Sequence, residues 1–273
     1  MRLFIHHRTD YRFTEPQARL VQMLRLTPTS HEGQVVVDWR IDIDCDARLK
    51  PCRDGFGNEV TMLYVDGPLE HIALTVGGEV LTEDRAGIVA GTPEPLPPLV
   101  FTQTTALTHS SPAIAAFAHA VVADKPLSRA HLLNEAVHKR LRFDRVDPAP
   151  DRDAATIFEE GHGIGQDFAH VFIAAAREIG FPARYVSGHL YDAEADEGHR
   201  NSTHGWAEAF VEGYGWIGFD AAHDICPHAA YVRVAVGLDY HDAAPISGAR
   251  MGGGRERLEV DVRVGLSQMQ TQG

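Results

Sequence analysis

Cysteine is scarce in this 273-residue chain: Cys45, Cys52 and Cys226 are an odd number with no CxxC spacing. That pattern argues against a disulfide framework and against a thiolate zinc site. Also lacking is any run of about 18 apolar residues, so no transmembrane helix is expected. The opening segment, Met1 to Asp10, has too short an apolar stretch for a signal peptide. Together these set the expectation of a cytoplasmic protein. Basic residues are in the minority, 25 against 38 acidic, for a net charge of −13. Nucleic acid and anionic membranes are polyanions that must be met by Lys and Arg, so neither is expected as a partner.

What is present divides the chain. Gln34 to Cys45 alternates, with Val35, Val37, Trp39, Ile41, Ile43 and Cys45 on one face and Asp38, Arg40, Asp42 and Asp44 on the other. A period of two is a strand with one wet face. Arg2 to Arg8, Arg19 to Leu26, Glu59 to Val65 and the alternating Ile72, Leu74 and Val76 are further strands. Gly77-Gly78 predicts a hairpin turn into Glu79-Val80-Leu81. Short strands with turn signals between them predict an antiparallel β-sandwich over 1–90.

A proline-rich stretch, Gly91 to Pro98, marks a linker over 91–105, because fixed φ angles and missing N–H groups keep such a segment out of regular structure. Residues 106–273 form the second unit. Ser111-Pro112 and Pro126-Leu127-Ser128 open two helices, and an Asp- and Pro-rich loop follows from Asp144 to Asp153. From Gln166 to Ile179, Phe168, Val171, Phe172, Ala175 and Ile179 share one helical face, and Gly180 and Pro182 end the helix. Ala183 to Leu190, Thr203 to Val211, Trp216 to Asp220, Tyr231 to Val236 and Leu258 to Val264 are strands. Helices first and an antiparallel sheet afterwards make the fold class α+β.

The chemistry-bearing residues cluster in this half. Gly163-Ile164-Gly165-Gln166-Asp167-Phe168-Ala169-His170, then Gly180-Phe181-Pro182-Ala183-Arg184-Tyr185-Val186-Ser187-Gly188, resembles the cysteine segment of the transglutaminase-like superfamily. There the pattern runs Gly-Val-Cys-Gln-Asp-Phe-Ala-His and Gly-Ile-Pro-Ala-Arg-Tyr-Val-Ser-Gly. Thr203-His204-Gly205-Trp206-Ala207-Glu208 is similar to that family's histidine strand, and Gly215-Trp216-Ile217-Gly218-Phe219-Asp220 to its aspartate strand. Val232 to Tyr240 and Gly252-Gly253-Gly254 match the bacterial branch, whose N-terminal domain the leading sandwich also resembles.

The resemblance implies a papain-type fold and a Cys–His–Asp triad. A cysteine at a helix start has its thiolate favoured by the helix dipole and a neighbouring imidazolium, with a pKa of roughly 3.5–7.5. The histidine carries the proton, the carboxylate orients it, and backbone N–H groups hold the oxyanion. His204 and Asp220 take the partner roles, with Gln166, Asp167 and Trp206 lining the cleft. Gly165 stands where the nucleophile is expected. Loss of a triad nucleophile costs about a millionfold in rate, or ~8 kcal/mol of barrier. The implied protein is therefore a catalytically silent relative whose cleft binds a peptide, an amide-containing ligand or a partner protein, without a cofactor.

Two other readings stand beside it. One is an active peptidase or amidase in which His204 and Asp220 activate a water. A metal held among His162, His170, His204, His223, His228, Asp167 and Asp220 would serve the same end, although none of these spacings is a recognised metal signature. The other substitutes Cys226 as nucleophile; a loop cysteine with a purely packing role is the plainer expectation. Gly252-Gly253-Gly254 lacks the following Lys-Ser/Thr of a phosphate loop and reads as a turn.

Overall fold

The computed structural model describes residues 1–144, 152–192 and 201–266. Most of the predicted Asp144 to Asp153 loop, residues 145–151, lies outside them. Strands β1 (Arg2–Leu24), β2 (Gln34–Ile43), β3 (Arg48–Arg53) and β4 (Glu59–Thr82) come first, then the short β5 (Ile88–Val89). Helices α1 (Pro112–Ala120) and α2 (Pro126–Arg140) follow, with β6 (Arg142–Phe143), α3 (Ala154–Glu160) and β7 (His162–Gly163). Next are α4 (Gly165–Glu178), β8 (Ala183–Tyr191), β9 (Asn201–Val211), β10 (Gly215–Phe219), β11 (Tyr231–Gly237) and α5 (Tyr240–Ala243). The chain closes with β12 (Ile246–Met251) and β13 (Glu256–Leu266). The predicted α+β class holds.

The first sheet is built on two very long strands. β1 and β4 pair antiparallel along their lengths, with register breaks between Arg12 and Arg19 that divide each into two halves. Tyr11, Ile72, Leu74 and Val76 from one half share a hydrophobic core with Leu20, Leu24, Leu63 and Val65 from the other. The sandwich is thus one continuous sheet folded on itself.

One expectation changes here. Gly77 and Gly78 do not form a hairpin; they lie inside β4. A Cβ on Gly78 would sit 2.0 Å from the Asp38 carbonyl oxygen, and one on Gly77 2.7 Å from that of Ile5. These glycines let neighbouring backbones approach, which is the other meaning of glycine in a strand. β12 and β13 both return to pair with β1, at Leu24↔Ile246 and Leu3↔Leu266 among others.

The second sheet runs β11-β8-β9-β10-β5, antiparallel throughout. Helix α4 packs against β9 and β8 on one side and against α1, α2 and α3 on the other. Its burial therefore extends beyond one face: His170, Ala174 and Arg177 are inside as well. The main core includes Leu3, Ile5, Val80, Val262 and Val264 from the first sheet alongside Phe168, Phe172, Phe219 and Val232 from the second. The linker is also anchored. Phe101 is buried against Trp216, and Glu94 receives both Nη groups of Arg184.

Candidate active site

Helix α4 begins at Gly165 for a local reason. The Asp167 carboxylate, in its first turn, accepts the Ile164 N–H at 2.9 Å. An anion there satisfies a free donor and meets the positive end of the helix dipole. Arg152 Nη2 holds the same oxygen at 2.5 Å, and Asp167 is buried. Burial pushes the Asp167 carboxyl up, against the opposing pull of the Ile164 N–H and Arg152. Asp167 therefore secures the helix start. Arg152, its counter-ion, was not singled out from the sequence; it precedes the cap residue Asp153, and only the fold shows it reaching 15 residues onward.

The β9–β10 hairpin pairs Val211 with Gly215 and Ala207 with Phe219, which brings His204 and Asp220 to the same end of the sheet. His204 Nε2 lies 2.7 Å from Asp220 Oδ2. The ring's opposite edge faces the helix start. A Cβ built on Gly165 would lie 2.6 Å from His204 Cε1 and 2.9 Å from Nδ1. Positions 165, 204 and 220 thus converge, and any side chain at 165 would meet the imidazole directly. Among the residues flanking 165, from Gly163 to Asp167, none carries a thiol or hydroxyl.

Trp206 is buried and stacks on His204, with ring centroids 6.2 Å apart and planes at 23°. It also meets Tyr231 edge to face. Gly188 makes this possible: a Cβ there would come within 2.6 Å of Trp206 Cη2. Gln166 is half-buried beside Gly165.

Asp220 is 1% exposed and is the hub of the site. Besides His204, its Oδ2 takes the Tyr231 hydroxyl at 2.6 Å and His223 Nδ1 at 2.8 Å, while Oδ1 accepts the Ala222 N–H. Burial would raise this carboxyl, but the two imidazoles outweigh it and hold Asp220 well below the usual carboxylate range. His223 is raised, chiefly by its hydrogen bond to Asp220. Backbone bonds in both directions between Asp220 and Ile225 close the turn that folds His223 back.

The other candidates lie elsewhere. His170 is fully buried and accepts the Tyr240 N–H, and burial holds it near about 4. His162 lies 3.5 Å from Asp144, and His228 packs on Tyr231. Cys226 packs where a Cβ on Gly87 would touch it, and burial pushes its thiol up to about 11, which suits packing and not nucleophilic attack. In the Gly252–Gly254 turn, the Gly253 and Gly254 carbonyls accept from Arg250. A small open pocket lies beside Trp206 and Tyr231, lined also by His31, Arg85, Glu208 and Arg233.

Known proteins show the same arrangement of units. Residues 115–221 match the transglutaminase-like superfamily core, and residues 3–81 match the bacterial transglutaminase-like N-terminal region. The chain carries a transglutaminase-like core. An uncharacterised protein of Mycobacterium leprae is 28% identical over 281 residues, covering 96% of this chain and 98% of its own. One from Mycobacterium tuberculosis is 27% identical, with 89% and 86% covered. Among solved structures, a candidate cysteine protease from Cytophaga hutchinsonii superposes with a TM-score of 0.78 at 18% identity, over 100% of this chain and 92% of that one. At that identity the likeness is one of fold. Both halves of this transglutaminase-like chain, including the returning C-terminal strands, fall within it.

Proposed function

We propose that this transglutaminase-like protein binds a peptide, an amide-containing ligand or a partner protein in its cleft without acyl transfer. In this reading Gly165 occupies the nucleophile's place. One observation carries it: the Nδ1 edge of His204 lies against the helix start, its Nε2 is bound to Asp220, and the residue between base and helix has no reactive atom. A base with its orienting acid, facing a backbone carbon, has no nucleophile to activate.

The stacked Trp206, the half-buried Gln166 and the adjoining pocket supply apolar and hydrogen-bonding surfaces of the kind that hold an extended ligand.

The test is to assay purified protein for hydrolysis and amide transfer, before and after Gly165→Cys. Silence in the unmodified chain with cysteine-dependent turnover after restoration supports the reading. Turnover in the unmodified chain that survives Cys226→Ala and chelation would defeat it.

A further inference from the structure

A triad needs one histidine on its carboxylate. Here Asp220 has two. His204 Nε2 and His223 Nδ1 approach the same oxygen at 2.7 and 2.8 Å, and the three donor atoms lie within 4.8 Å of one another. His223 is not needed to orient His204, which already has the carboxylate on one nitrogen, Trp206 against its face and Gly165 against its edge.

We propose that His204, Asp220 and His223 form a binding site for a divalent transition-metal ion of the zinc class. Two imidazoles and one carboxylate converging from one side, with the remaining positions open, are a donor set that suits zinc, iron, cobalt or nickel; magnesium and calcium prefer all-oxygen sites.

Burial strengthens the argument. Asp220 is an almost fully buried anion, and among the described residues no guanidinium or ammonium pairs with it. A buried charge needs an opposite one. Either an imidazolium or a metal ion supplies it, and the ion does so while leaving both rings neutral. The carboxylate is also held from behind, by the Tyr231 hydroxyl and the Ala222 N–H, the kind of outer contact that orients metal-bound carboxylates.

Coordination requires the lone pairs of His204 Nε2 and His223 Nδ1 to face the ion, so each ring carries its proton on the other nitrogen. Bonds of roughly 2.0–2.2 Å to an ion set donors farther apart than hydrogen bonds do. The site therefore opens slightly on binding. His223, with a side chain 41% exposed in a surface turn, is the group free to move, and it leaves the ion a path from solvent.

The experiment uses the full chain, stripped with EDTA and titrated with Zn²⁺ alone by calorimetry, with Co²⁺ as a spectroscopic probe. One ion per chain is expected, with ligand-field absorption for Co²⁺. His223→Ala should weaken Zn²⁺ binding at least about a hundredfold while leaving the circular dichroism of the apo chain unchanged. His228→Ala, on the neighbouring turn, should leave binding intact. Absence of saturable Zn²⁺ binding, or binding indifferent to His223→Ala, overturns the proposal. Metal binding is read without any peptide or amide ligand, so its outcome is separate from that of the Gly165→Cys assay.

Discussion

His7 of β1 meets His189 of β8 edge to face, with ring centroids 6.0 Å apart, where the first sheet packs on the second. Both are buried, and the Nδ1 of each has no partner among the described residues. Burial, reinforced at His7 by His6 and at His189 by His7, lowers His7 to about 4 and His189 to about 3; Asp261 opposes the shift at His7.

These shifts give a pH dependence with a definite sign. In the unfolded chain a histidine titrates near 6.5, so between that value and about 4 the unfolded state binds more protons than the folded one. Stability is fully present above pH 6.5 and is lost as pH falls toward 4, by roughly 3 kcal/mol for each buried imidazole as an upper figure. His170 adds to the same trend. Urea midpoints measured from pH 7.5 down to 4.5 should fall steadily, and His189→Leu should flatten the slope. A flat profile for the unmodified chain would contradict the buried contact.

Glu208 is the second place where burial sets a measurable cost. It is fully buried between Arg184 and Arg233, with Arg184 Nε at 2.6 Å and Arg233 Nε at 2.7 Å. Burial would raise its carboxyl, but the two guanidinium groups win and hold it near about 2. Glu208→Gln leaves two largely buried cations short of their counter-ion and should cost about 3–5 kcal/mol in urea unfolding. Glu94 holds the opposite edge of Arg184 but is one-third exposed, so Glu94→Gln should cost less than about 1 kcal/mol. Equal costs for the two would show that the network is not organised around Glu208.

Asp167→Ala removes both the acceptor for Ile164 N–H and the partner of Arg152. The expected loss is about 2–3 kcal/mol, a cap contribution plus an ion pair stranded against a buried helix end. Asp167→Asn keeps an acceptor and should recover part of it. If Asp167→Ala unfolds at the same urea concentration as the unmodified chain, the residue does not hold the helix start.

Much of the site was legible in the sequence because it is written in local patterns. The apolar spacing from Phe168 to Ile179, the Gly180 and Pro182 stop, and the strand patterns of β9 and β10 each depend on near neighbours, and the resemblance of the motifs on them to the transglutaminase-like superfamily picks out Gly165, His204 and Asp220. The illegible parts depend on distant partners. Nothing local in Ile246–Met251 or Glu256–Leu266 says that these strands pair with the first strand of the chain. Gly77-Gly78 has the composition of a turn, and only the close passage of β1 and β2 on either side explains a glycine pair in mid-strand. His223 was named from the sequence only as one of five histidines in a candidate metal set. Its position three residues after Asp220, in a turn that doubles back, is the signal that singles it out.

The central claim is that position 165 faces the imidazole of a complete base and orienting acid. Alkylation of Gly165→Cys by iodoacetamide across pH, in a background lacking Cys45, Cys52 and Cys226, tests it most directly. The thiol should react with an apparent pKa well below the ~8.5 of a free cysteine, and His204→Ala should return it toward that value. A restored thiol that titrates near 8.5 with or without His204 would contradict the claim.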